Sequence, residues 1–240
     1  MATNAITLRR PSDRKLYLIA AAAFPLLVLA GYFRSYYFSA FFDVPPMAAL
    51  VHAHGLVMTA WVIFFTVQIA LVRTKNVKVH MSLGLVGIAL ATLAVVVGMA
   101  TAYNAQLIHH RAPAGIDPYA FFLIPFSDLV IFVVLFAAAI YYRKRPAEHK
   151  SLMLMTAVNF LPAAVSRLAP VPEKYFMLWT FGVPDLLALA FFGWYTWKHG
   201  KVNRVFATAL GLFIVSHPLR LMLMDTEPWI RFAGWLAALS

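Results

Sequence analysis

Apolar stretches of roughly 20 residues, the length that crosses a bilayer's hydrocarbon core as an α-helix, alternate along this chain with short charged connections. A segment in lipid must satisfy its own backbone N–H and C=O groups, so such stretches are helices or strands of a closed barrel. No two-residue alternation runs through the blocks, which leaves helices. The sequence predicts an all-α integral membrane bundle forming one domain over residues 1–240. Seven spanning helices are expected at about 16–33, 47–72, 79–103, 118–142, 149–170, 175–197 and 204–225. The stretch from Pro228 to Ser240 is too short to span. Its Trp229, Phe232, Trp235, Leu236 and Leu239 share one helical face, which predicts an interfacial helix over 228–239. The first block follows Arg9, Arg10, Arg14 and Lys15 as a signal peptide would, but its apolar run is longer than a signal core, so a retained helix is expected.

Hydrophobic residues are 62% of the chain and charged residues 12%, against about 45–50% and about 25% in soluble domains. Cysteine is absent, which excludes disulfides, thiolate nucleophiles and iron–sulfur clusters. Any metal or haem must then be held by His, Met or carboxylate. The net charge of +11 would suit a nucleic acid, but the basic residues are sorted by side. They gather at the amino terminus, at Arg73, Lys75 and Lys78, at Arg143, Lys144, Arg145 and Lys150, and at Lys198, Lys201 and Arg204. These are alternate connections, so the bias sets topology: this side faces the cytoplasm, with the amino terminus there. The same charge favours anionic inner-leaflet lipid and argues against nucleic acid.

Ionisable residues at membrane depth are the functional signal, since each costs roughly 2.5–3.5 kcal/mol at a helix centre on insertion scales. Asp128, Asp185, His54, His217, Arg167, Arg220 and Asn159 all fall in the half away from the basic loops. Pro125, Pro162, Pro184 and Pro218 stand beside them. A proline inside a helix frees a carbonyl and bends the axis, so four at one level predict a polar cavity opening outward. Two readings stay open. The Asp and Arg residues pair and fix the bundle, or His54, His217, Asp128 and Asp185 hold a divalent metal such as zinc.

Near the basic face, His80 opens the third helix and His149 the fifth. Facing imidazoles could ligate haem b, or each could be an interfacial polar residue at a helix amino terminus. Gly84, Gly87, Ala91 and Gly98 share a face, as close helix packing requires. His52 points about 200° away from His54 around the helix, so His54 alone is a candidate. His109 and His110 read as loop residues, and zinc-protease, phosphate-loop and hydrolase-elbow motifs are absent.

His54, Gln68 and then His80 with Leu83-Gly84 resemble a family of predicted bacterial membrane proteins of unknown function. That family shows His, then Gln, then a basic loop running into His-Arg-x-Leu-Gly-Arg. Its second signature, His-Arg-Arg-Trp-Met followed by an Arg, is similar to His149-Lys-Ser-Leu-Met153 with Arg167. Met81, Leu85 and Leu152 depart from the pattern. The resemblance covers roughly helices two to five and implies a multi-pass protein of the bacterial inner membrane. The layout is loosely similar to transmembrane di-haem cytochromes b, with only the site at His80 and His149 in common. Three functions follow as expectations: a haem protein passing electrons to a redox partner, a membrane-embedded metal enzyme, or a transporter of a small solute or proton.

Overall fold

The computed structural model describes residues 14–239. Arg9 and Arg10, which belong to the basic amino-terminal stretch, lie outside them, as does Ser240. The elements are α1 (Arg14–Tyr32), α2 (Ala49–Arg73), α3 (Val77–Ala102), α4 (Pro118–Tyr141), α5 (Pro146–Asn159), α6 (Leu161–Val165), α7 (Glu173–His199), α8 (Arg204–Leu223) and α9 (Glu227–Ala237). Single π-helical turns extend α1 over Phe33–Tyr37 and α3 over Tyr103–Ile108. Among the described residues six helices are long and apolar enough to cross a membrane: α1 to α4, α7 and α8, with their extensions.

The seventh crossing is the correction. The sequence predicts one helix over 149–170, but the chain forms α5 and α6 with a break at Phe160. Pro162 cannot donate the N–H that would carry the helix through. Irregular backbone survives at membrane depth only inside protein, and this segment is inside. From Ser151 to Val165 nearly every residue is buried, including Thr156 and Asn159 at 0% exposure. The pair α5–α6 is thus the core post of the bundle. The others close a ring around it in the order α1, α2, α3, α4, α8, α7, with α7 returning to α6 and α1. Burial on all sides also explains why α5 can be less apolar than the ring.

Outside, the polarity is that of a protein in lipid. Leu56, Leu85, Val96, Leu186 and Met222 are all more than half exposed. Inside, Leu16, Phe65, Phe132, Met155, Phe191 and Phe213 pack on the post. The small face of α3 serves close packing. A Cβ on Gly87 would lie 2.7 Å from the Phe64 ring, and one on Gly98 would lie 3.1 Å from Leu129.

Each end of the bundle is closed by local chemistry. The α2–α3 turn puts Lys75 at φ 65°, and α7 ends on Gly200 at φ 61°, both left-handed, which glycine adopts without strain. Asp117 caps α4 by accepting from the N–H of Tyr119 and Ala120. At the far end, α9 docks through Trp229 and Leu236. The Trp229 indole donates to the Tyr119 carbonyl at 2.9 Å, and the Tyr103 hydroxyl to the Leu236 carbonyl at 2.8 Å. Phe232, Trp235 and Leu239 stay exposed along its other edge.

Candidate functional sites at the two ends of the post

The half of the bundle away from the basic connections holds a compact polar layer. Arg220 on α8 is 2% exposed and reaches Asp128 on α4, Nη1 to Oδ1, at 2.5 Å. Its Nε donates to the Ser216 carbonyl at 3.2 Å and its Nη2 to the Ser216 hydroxyl at 3.0 Å. Asn159 ends α5 beside the break and donates its Nδ2 to the Asp128 carbonyl at 2.8 Å. Pro125 stands three residues before Asp128 within α4. Next to this pair, His217 Nδ1 on α8 lies 2.9 Å from Asp185 Oδ1 on α7, off the line of a hydrogen bond. Phe181 joins the two dyads. Its ring stacks on His217 at 4.6 Å, and the Arg220 guanidinium lies 5.4 Å from its centre. Phe213 meets the His217 ring edge-on at 4.5 Å.

Several expectations are corrected here. Helices α4, α7 and α8 run through Pro125, Pro184 and Pro218; only the post breaks. Two hollows among the described residues are apolar, a void of about 10 Å³ between α1, α5 and α7 and a groove of about 580 Å³ between α2 and α3. His54, His217, Asp128 and Asp185 do not converge as a metal centre. Among the described residues no three His, Asp or Glu side chains do so. His54 of α2 lies against Gly98 of α3, with its Nδ1 buried and unpartnered. Arg167 does not join the layer either. It is exposed, bonds back to the Ala163 carbonyl, and lies 4.7 Å from the Tyr32 ring centre.

At the basic end of the post the arrangement differs. His80 opens α3 and its Nδ1 lies 2.6 Å from Gln68 Oε1 on α2. His149, one turn into α5, has its Nδ1 2.8 Å from the Ala139 carbonyl. That carbonyl is among the last four of α4, which have no partner within the helix. A carbonyl oxygen only accepts, so both imidazoles carry their proton on Nδ1 and leave Nε2 as a lone pair. The ring centres are 6.4 Å apart with planes crossed at 73°. Neither Nε2 has a hydrogen-bond partner among the described residues. One turn beyond His80, a Cβ on Gly84 would meet nothing within 4 Å.

Reasoning from the sequence missed Ser216 and Phe181. Both were within reach of it: each stands four residues before a singled-out group, Arg220 and Asp185, and i, i+4 residues share a helical face. Gln106, buried with an unpartnered Oε1, was also missed. It sits in the π turn after α3, which no sequence period marks. Compared with protein families, with curated proteins and with solved structures, the chain matches none.

Proposed function

We propose that this membrane protein is an electron carrier that holds haem b between His80 and His149. The observation that carries the reading is the pair itself. A metal bound to one nitrogen of each ring at about 2.0–2.1 Å would hold the ring centres roughly 6 Å apart, and they stand at 6.4 Å. Metal-bound histidines almost always give their other N–H to a carbonyl or carboxylate, which fixes the tautomer and the ring direction. Gln68 and Ala139 take that role here. Haem would supply a one-electron iron couple. The protein's part is to aim two Nε2 lone pairs at one point and, with Gly84, to leave room beside His80.

The resemblance to the bacterial family belongs to the same proposal, since His80, Gln68 and His149 are the residues that carry it. The charge asymmetry supports a bacterial inner membrane with the amino terminus and the His80–His149 end at the cytoplasmic face. Lys78, Arg143, Lys144 and Lys150 there would meet anionic lipid. The test is an oxidised-minus-reduced optical spectrum of protein purified in detergent from cells supplied with a haem precursor. Sharp reduced bands that vanish in His80→Ala and in His149→Ala are expected. A colourless protein would overturn the reading.

A further inference from the structure

The polar layer does not balance its own charge. Asp128 and Arg220 cancel within one closed pair, and Ser216 accepts from the guanidinium Nε and Nη2. Asp185 is left with His217 as its one close partner, at 2.9 Å. Asp128 of α4 also faces His217, with its charge held by Arg220, and the remaining described elements around the dyad add no charge to it. Asn159 of α5 is neutral and bonds to the Asp128 backbone. Phe181 and Phe213 cover the two sides of the imidazole. Arg167, beyond α6, turns to Tyr32, and Arg231 of α9 pairs with Glu227 at 2.5 Å. An unneutralised carboxylate at this depth is expensive. His217 is 3% exposed, and its Nε2 is a second buried nitrogen with no partner.

We propose that Asp185 and His217 together form a binding site for one proton, shared between the carboxylate and the imidazole. One proton brings the layer of Asp128, Asp185, Arg220 and His217 to neutrality, and only one can do so. Binding makes a single new O–H or N–H bond and breaks none within the protein. Asp185 keeps 20% of its side-chain surface exposed while His217 is closed in. The groups around the dyad fix its occupant. A metal ion wants a third ligand, and among the described residues no third His, Asp or Glu joins the dyad, whereas a proton needs two atoms. Carboxylate and histidine at membrane depth are the usual parts of proton relays. The site does not depend on the haem reading, since it shares no side chain with His80 and His149.

The test is a difference titration of the full chain in detergent, from about pH 5 to about pH 9, where histidine sites exchange protons. Wild type should take up one more proton per chain over that range than Asp185→Asn. His217→Gln should remove or displace the same step. Circular dichroism of each variant shows whether the helices persist, and a second pair, Asp185→Ser and His217→Asn, replaces any variant that does not fold. If Asp185→Asn and His217→Gln both leave proton uptake unchanged, the dyad is a fixed ion pair and the proposal fails. If sodium or zinc displaces the step in wild type and not in Asp185→Asn, the site takes a metal ion and the proposal fails equally.

Discussion

The two ends of the central post solve the problem of polar groups in a membrane in opposite ways. Toward the opposite face, side chains from α4, α5 and α8 engage one another, Asp128 with Arg220, Arg220 with Ser216 and Asn159 Nδ2 with a backbone carbonyl, while Asp185 and His217 beside them share no hydrogen bond. Toward the basic face, His80 and His149 do not bond to each other. Each is tied through Nδ1 to a carbonyl on a neighbouring helix, and each keeps its second nitrogen free. The closed Asp128–Arg220 pair ties α4 to α8. The two imidazoles are anchored from behind and unpartnered in front, the arrangement on which the proposed haem site rests. Burial alone does not separate them, since both contain polar groups out of solvent; what separates them is where the unused atoms are.

The sharpest way to break that contrast is to open the closed pair. Asp128→Asn strands the buried Arg220 charge and should cost about 3–5 kcal/mol of stability, read as a large drop in melting temperature in detergent. The double variant Asp128→Leu/Arg220→Met removes both charges and should recover most of the loss. Equal melting of the single variant and wild type would mean that the pair does not hold the layer.

Packing around the break gives a smaller effect. Gly31 of α1 lies against α6, and a Cβ there would fall 2.8 Å from the Ala164 Cα, which is backbone and cannot swing aside. Gly31→Ala should destabilise by about 1–3 kcal/mol. A neutral or stabilising outcome would show that α6 shifts freely, and that the broken segment is not the rigid post described above.

At the open end, Gln68→Leu removes the oxygen that fixes the His80 ring while leaving the ring itself. Loss of such a supporting group typically weakens metal affinity by about 10–100-fold. Titration of the haem-free protein with haemin should show that loss with melting nearly unchanged. If Gln68→Leu lowers stability and leaves haemin affinity alone, the Gln68–His80 bond is an ordinary interhelical contact. The mildest change expected is in Trp229→Phe, which gives up one hydrogen bond to Tyr119. It should cost about 0.5–1.5 kcal/mol and loosen α9 without touching either end of the post.

Much of this was legible in the sequence, and the reasons differ by element. The six continuous spans follow from apolar length, because bilayer thickness sets helix length directly. The grouping of Asp128 with Arg220, and the juxtaposition of His80 with His149, followed from depth along antiparallel helices. Depth does not give rotation about the axis, however. His54 sits at the right height but lies against Gly98 of α3, and no three His, Asp or Glu side chains cluster among the described residues. Pro125, Pro184 and Pro218 mark where backbone bonds are missing, yet α4, α7 and α8 run through them unbroken. The broken seventh crossing was readable as Asn159 and Pro162 with Thr156 and Ser166 near them, a polar content that suits a core post better than a lipid-facing helix. Its central place depends on all the other helices and has no local signature.

The central claim is that both imidazoles bind one iron, and electron paramagnetic resonance of the oxidised, haem-loaded protein tests it most directly. Two imidazole ligands give low-spin ferric iron, and ring planes crossed at 73° rather than parallel give it a strongly anisotropic signal. That signal should collapse to high spin in His149→Ala. A wild-type spectrum showing only high-spin iron, or no ferric haem after loading, would contradict the account.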